Sequence, residues 1–248
     1  MSSLRALRPT LALWGLALAA KFLVACSSEV RGTENAAPPS EQGQSASSTQ
    51  AGPTPISAQT PQAEPSVLIS AVGDCTLGDP AGAERAPGSF HRAFDDGDMA
   101  RPFSGVFEIL SKDDLTIANL ETTLTTAAPR SDLPFAFRGK PEFAQMLKLG
   151  SVELVSVANN HAQDCGTRGA KETREALTSA GVGFFGMDAI DTRMVNGIRV
   201  HNLGYLGGSL DFQKQMQKDV ARLKKPDELV IVSFHWGIEE WNAVNDVQ

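Results

Sequence analysis

Four short apolar runs, at residues 67–72, 115–118, 153–158 and 229–234, are each followed at once by a polar cluster. The clusters are Gly73-Asp74, Asn119-Leu120-Glu121, Asn159-Asn160-His161 and His235-Trp236-Gly237. The runs lack strict polar alternation, as strands covered on both faces of a parallel sheet do. Between them lie stretches with helical spacing at 103–110, 168–180 and 212–225, and a fourth that starts with Pro141 in its first turn and stops before Gly150. Gly181 ends the second of these helices, and Pro226 closes the third. Residues 182–185 read as a further strand, and Asn196-Gly197 between apolar runs predicts a β-hairpin over 194–200. Residues 78–101 and 122–139, rich in Gly, Pro and Asp or in Thr and Pro, read as long loops.

Strands alternating with helices predict an α/β fold, and in such sheets ligands bind beyond the carboxyl ends of the strands. Asp, Glu, Asn and His arriving together at that edge supply the oxygen and imidazole donors that Zn, Mn or Fe take. Asp74 is read as a metal ligand, against the alternative of a turn-capping carboxylate. Asn119 and Glu121 are alternate strand residues and should project to one side; Glu121 is the better candidate for a ligand, against the solvated strand-end charge that the residues alone favour, and Asn119 is a second ligand or a hydrogen-bonding neighbour. Histidine as a residue type suits proton transfer, which makes His161 the candidate, and Asp164 is placed to hold its tautomer. His235 is read as a ligand by its order behind the other motifs, with Trp236 walling the pocket. Arg138, in a loop, is a candidate contact for a substrate phosphate or carboxylate. His91 and His201 sit in no motif and are assigned no role.

These motifs, with Asp164 and Gly166, resemble those of the CapA family, the poly-γ-glutamate capsule synthesis proteins related to calcineurin-like metallophosphoesterases. The likeness runs from about residue 66 to residue 241. It implies a metallophosphoesterase-like layered sandwich of β-sheets flanked by helices. It also implies a divalent transition metal, one ion or two, on Asp74, Glu121, Asn160 and His235, with His161 assisting the leaving group. Two departures stand out. The related enzymes carry Asp-x-His where this chain has Thr76 after Cys75, and their closing Gly-His-x-His motif does not occur, so the domain is expected to be C-terminally incomplete. The implied role is a surface protein of capsule polymer synthesis or export, acting with capsule-assembly proteins on an anionic polymer. The alternatives are a phosphoester hydrolase unrelated to capsule and a non-catalytic polymer-binding accessory protein.

Composition narrows the partners. The net charge of −7 over 248 residues argues against nucleic acid. Arg5 and Arg8 precede a short apolar stretch at 11–20, and Leu23-Val24-Ala25-Cys26 resembles a bacterial lipobox. The expectation is a signal peptide over 1–25, lipidation of Cys26 and anchoring to a membrane, with Ser27 favouring an outer location. Residues 26–65, rich in Ser, Gln, Pro, Ala, Gly and Thr, cannot offset the entropy of ordering and read as a tether; residues 66–248 form the folded domain. Cys75 and Cys165 flank two motifs and fit either a disulfide or a pair of buried thiols.

Overall fold

The computed structural model describes residues 65–207 and 209–237 in full and the backbone of 21–25. The strands are β1 (Lys21–Ala25), β2 (Ile69–Cys75), β3 (Asp79–Pro80), β4 (Leu115–Leu120), β5 (Thr123–Leu124), β6 (Phe137–Gly139), β7 (Leu154–Ser156), β8 (Gly183–Phe185), β9 (Asp191–Val195), β10 (Ile198–Leu206) and β11 (Glu228–His235). The helices are α1 (Phe90–Ala93), α2 (Phe107–Leu110), α3 (Ala144–Leu149), α4 (Gly166–Ala180) and α5 (Leu210–Leu223).

Two four-stranded sheets carry the architecture, one in the order β2-β4-β7-β8 and wholly parallel, the other β1-β11-β10-β9 with only β10 and β11 parallel. Side-chain parity explains how they stack. On β4, Leu115 and Ile117 meet Leu154, Phe185, Val200 and Ile231 in the layer between the sheets. Ala118 and Leu120, one residue out of phase, face Met146, Leu147 and Leu177 of α3 and α4 instead. On the far side, Leu203, Val230 and Val232 pack against Met216, Val220 and Leu223 of α5. The result is a mixed α/β layered sandwich with helices outside both sheets. Every residue of β4, at the middle of one sheet, is buried.

The predicted hairpin is present, with Asn196 at φ 49° and Gly197 at φ 83°, the two left-handed positions that a tight hairpin turn requires. Two expectations are corrected. The segment 103–110 is not one helix but a 3₁₀ turn at Arg101–Phe103 followed by the four-residue α2, with Gly105 between them to weaken continuation. The long loops 78–101 and 122–139 contain β3, β5 and β6, which form a small third sheet in the order β3-β6-β5. Two- and three-residue strands are too short for a hydrophobic period to show. They pair because glycines cross there: a Cβ on Gly139 would lie 2.0 Å from the Leu77 carbonyl oxygen, and one on Gly78 2.4 Å from that of Arg138. Buried Asp79 fastens the same region, accepting the Phe90 and His91 amides at 2.7 and 2.8 Å and lying 2.7 Å from His91 Nδ1. His201, similarly, lies between Thr192 and Glu228. Among the described residues no helix is long and apolar enough to cross a membrane.

Candidate metal centre

The inter-sheet layer changes from apolar to polar at the carboxyl ends of its strands. Asn119 follows Ile117 on the same face of β4, and His235 follows Ile231 and Ser233 on the same face of β11, so the two meet across the gap, Asn119 Nδ2 lying 3.2 Å from His235 Nδ1. Asp74 reaches them through an irregularity. Ala71 pairs with Ile117, but Asp74, three residues on, pairs with Asn119, only two residues on. This extra residue in β2 is a bulge, which re-aims a side chain; it carries Asp74 into register beside Asn119, whose Nδ2 donates to Asp74 Oδ1 at 2.7 Å.

Asp74, Glu121 and His235 each present a potential ligand atom within 4.8 Å of the others. Glu121 and His235 are buried. Asp74 Oδ2 is buried without a hydrogen-bond partner among the described residues. A buried carboxylate oxygen left unmatched, on a residue clustered with another carboxylate and an imidazole, is the arrangement a divalent cation satisfies. The donor set therefore fits a transition metal.

Of the residues expected at the site, the structure also brings His161 and Asp164 there. His161 Nε2 lies 3.8 Å from Glu121 Oε1, while Nδ1 lies 2.8 Å from Asp164 Oδ2. Buried Asp164 also accepts the Phe137 amide at 2.5 Å, and the Phe137 ring meets the imidazole edge to face at 4.6 Å. Asp164 can only accept as a carboxylate, so His161 carries a proton on Nδ1 and turns Nε2 toward Glu121.

Asn160, Arg138 and Trp236 are the chain neighbours of His161, Phe137 and His235. Asn160 is exposed, and its neighbour Asn159 is the buried one, donating to Asn119 Oδ1 at 3.0 Å and to the Leu120 carbonyl at 2.8 Å. Parity along β7 could not choose between the two asparagines, because the strand ends at Ser156. Arg138 is paired with Glu84 at 2.5 Å; burial opposes ionisation of Glu84, yet its own amide and Arg138 hold its carboxyl below the usual range. Trp236 stacks on Phe234 with ring centres 4.9 Å apart, and Phe234 on Tyr205 at 5.9 Å. Phe137, which steadies His161, lay in a segment that reads as loop and carried no signal. Cys75 and Cys165 are free thiols. Burial, aided by the Asp74 charge, pushes Cys75 up to about 12, and burial pushes Cys165 up to about 11.

Beside the cluster lies an open cavity of about 860 Å³, lined by Gln163, Arg174, Met187, Tyr205, Leu206 and Phe212 among others. None of Asp74, Glu121, His161 and His235 lines it, but Gln163 is two residues beyond His161 and Leu206 pairs in register with His235, so the cavity is walled by neighbours of the cluster.

A layered α/β sandwich with a carboxylate–imidazole cluster at its strand ends defines the class, a candidate metal-binding α/β protein. The chain belongs to the bacterial capsule synthesis protein family PGA_cap, whose family model matches residues 68–248. It is similar to the capsule biosynthesis protein CapA of Bacillus anthracis, at 27% identity over 135 residues, 44% of this chain and 33% of that protein. It is also similar to the PGA biosynthesis protein CapA of Bacillus subtilis, at 28% identity over 170 residues, 59% of this chain and 45% of that one. The chain thus spans less than half the length of these curated relatives.

Proposed function

We propose that this chain is a surface-anchored protein of capsule or poly-γ-glutamate polymer synthesis or export, with a metallophosphoesterase-type hydrolytic centre at its strand ends. The convergence of Asp74, Glu121 and His235, with Asp74 Oδ2 buried and unmatched, carries the reading. These three residues would hold the metal, which when bound supplies Lewis acidity toward a phosphoryl oxygen and acidifies water. His161 is the proton carrier: Asp164 and the Phe137 ring orient it, and its Nε2 side faces the cluster. In its charged form it delivers a proton from Nε2 to a leaving oxygen. The adjoining cavity gives the body of a substrate room outside the cluster. Family membership supports the capsule role, and the lipobox-like Leu23-Val24-Ala25-Cys26 supports export and lipid anchoring at the cell surface. Cys26 and the expected tether lie outside the described residues.

The test is a metal measurement paired with turnover of a phosphodiester chromogen after reconstitution with Zn or Mn. His161→Ala should keep its metal and lose turnover by about 10²–10⁴-fold, the range for removing a general acid or base. A protein that takes up no metal ends the reading. One that takes up metal but hydrolyses no phosphoester leaves a polymer-handling accessory role.

A further inference from the structure

The hydrogen bonds between Asn159 and Asn119 have a sense that backbone groups fix. A carbonyl oxygen only accepts and an amide N–H only donates. The Leu120 carbonyl meets Asn159 Nδ2 at 2.8 Å, and the His161 amide meets Asn159 Oδ1 at 3.0 Å. With opposite demands at its two ends, the Asn159 side chain can stand in only one of its two flipped orientations. Its second N–H then points at Asn119 Oδ1, 3.0 Å away. That contact fixes Asn119 in turn and sends both of its N–H groups the other way. One goes to Asp74 Oδ1 at 2.7 Å and the other to His235 Nδ1 at 3.2 Å.

We propose that Asn159 and Asn119 form an amide relay that holds His235 as an acceptor at Nδ1, with its proton on Nε2, in the metal-free protein. Nδ1 faces an N–H and so must offer its lone pair; Nε2 then carries the hydrogen, on the side where Glu121 Oε1 lies 3.6 Å away. Asn119 is accordingly a positioning residue. Its carbonyl is turned toward Asn159, and one of its N–H groups occupies Asp74 Oδ1, so that Oδ2 is the oxygen Asp74 presents. Asn159 is the residue that sets this sense, although it touches neither Asp74 nor His235 through any of these bonds. The relay bears on the metal reading above through Asp74 Oδ2 and through His235, and its test is made without metal, so that the two can fail separately.

The experiment is ¹⁵N NMR of the four histidine rings in the full chain after chelation. It is run at about pH 8, above the ordinary histidine pKa of about 6.5, with the His235 signals assigned by their loss in His235→Gln. The expected spectrum shows a protonated Nε2 and a bare Nδ1 for His235. Asn119→Asp keeps an oxygen for Asn159 but presents an acceptor to Nδ1, and should move the His235 proton from Nε2 to Nδ1. Asn159→Ala frees the Asn119 side chain to flip and should give averaged nitrogen shifts. A wild-type His235 protonated on Nδ1 overturns the proposal, even if neither variant folds. Folded variants that leave the His235 tautomer unchanged overturn it as well.

Discussion

Asp74 is held with one oxygen hydrogen-bonded by Asn119 and the other buried and unmatched among the described residues. An unsatisfied buried polar group of this kind costs about 1–3 kcal/mol, more when it is charged and faces a second carboxylate. Asp74→Asn should therefore leave the chelated protein melting at the same temperature as wild type or higher. Added Zn or Mn should raise the melting temperature of wild type alone, because a ligand that binds only the folded state stabilises it by about 2.7 kcal/mol at 100 times its dissociation constant. Differential scanning calorimetry with and without metal checks both halves; an equal metal-induced rise in the variant would remove Asp74 from the site. Chemical type and strand order made Asp74, Glu121, His161 and His235 candidates, and the family resemblance of their motifs, more than the residues alone, marked them as a site. What the sequence could not resolve was which of two adjacent asparagines turns inward, because beyond Ser156 the chain leaves the strand and its alternation no longer assigns a face.

At the scale of elements, the apolar runs and the hairpin were legible because each spans enough residues for its period or its turn chemistry to register. The bulge in β2 was not: Gly73 hints at a close backbone approach, but an extra residue between Ala71 and Asp74 changes no hydrophobic pattern. The small sheet escaped for the opposite reason, its strands of two or three residues being too short for a period to repeat. Helix α4 is joined to this region by Glu172, which accepts from Thr125 Oγ1 at 2.5 Å, Arg168 Nε at 2.6 Å and the Thr126 amide at 2.9 Å. Hydrogen bonds from Thr125, then Arg168 and Thr126, lower its carboxyl from 4.5 to about 2. A carboxyl lowered by folding adds stability above its unfolded pKa and loses it as pH falls through the folded one. This contribution should be full above about pH 4.5 and gone below about pH 2. Glu172→Gln should thus melt below wild type at neutral pH, with the gap closing across that window. Thermal melts of both proteins over the acid range test this, and a gap independent of pH would show that Glu172 acts through packing instead.

For the molecule as a whole, the open question is where it resides. If the lipobox-like segment directs processing, the native protein should start at Cys26 with a diacylglycerol on its sulfur, and Cys26→Ala should leave the detergent phase for the aqueous one. Mass spectrometry of the N-terminal peptide from native cells decides, an unmodified Cys26 counting against the anchor. One pairing described above bears on when such processing takes place. Residues Lys21–Ala25, three of which belong to the lipobox-like motif, lie as β1 antiparallel along β11, from Lys21 opposite Phe234 to Ala25 opposite Val230. A peptide bond held in a ladder is closed to a protease, so docking and cleavage are rival fates for the same residues. Synthesis order favours cleavage: at about 5–20 residues per second, the roughly 210 residues between Lys21 and Phe234 take on the order of 10–40 s to make. Through that interval residues 21–25 have no β11 to pair with. If the segment is a leader, export machinery that engages the nascent chain meets it open, whereas machinery that waits for the finished protein meets it already paired.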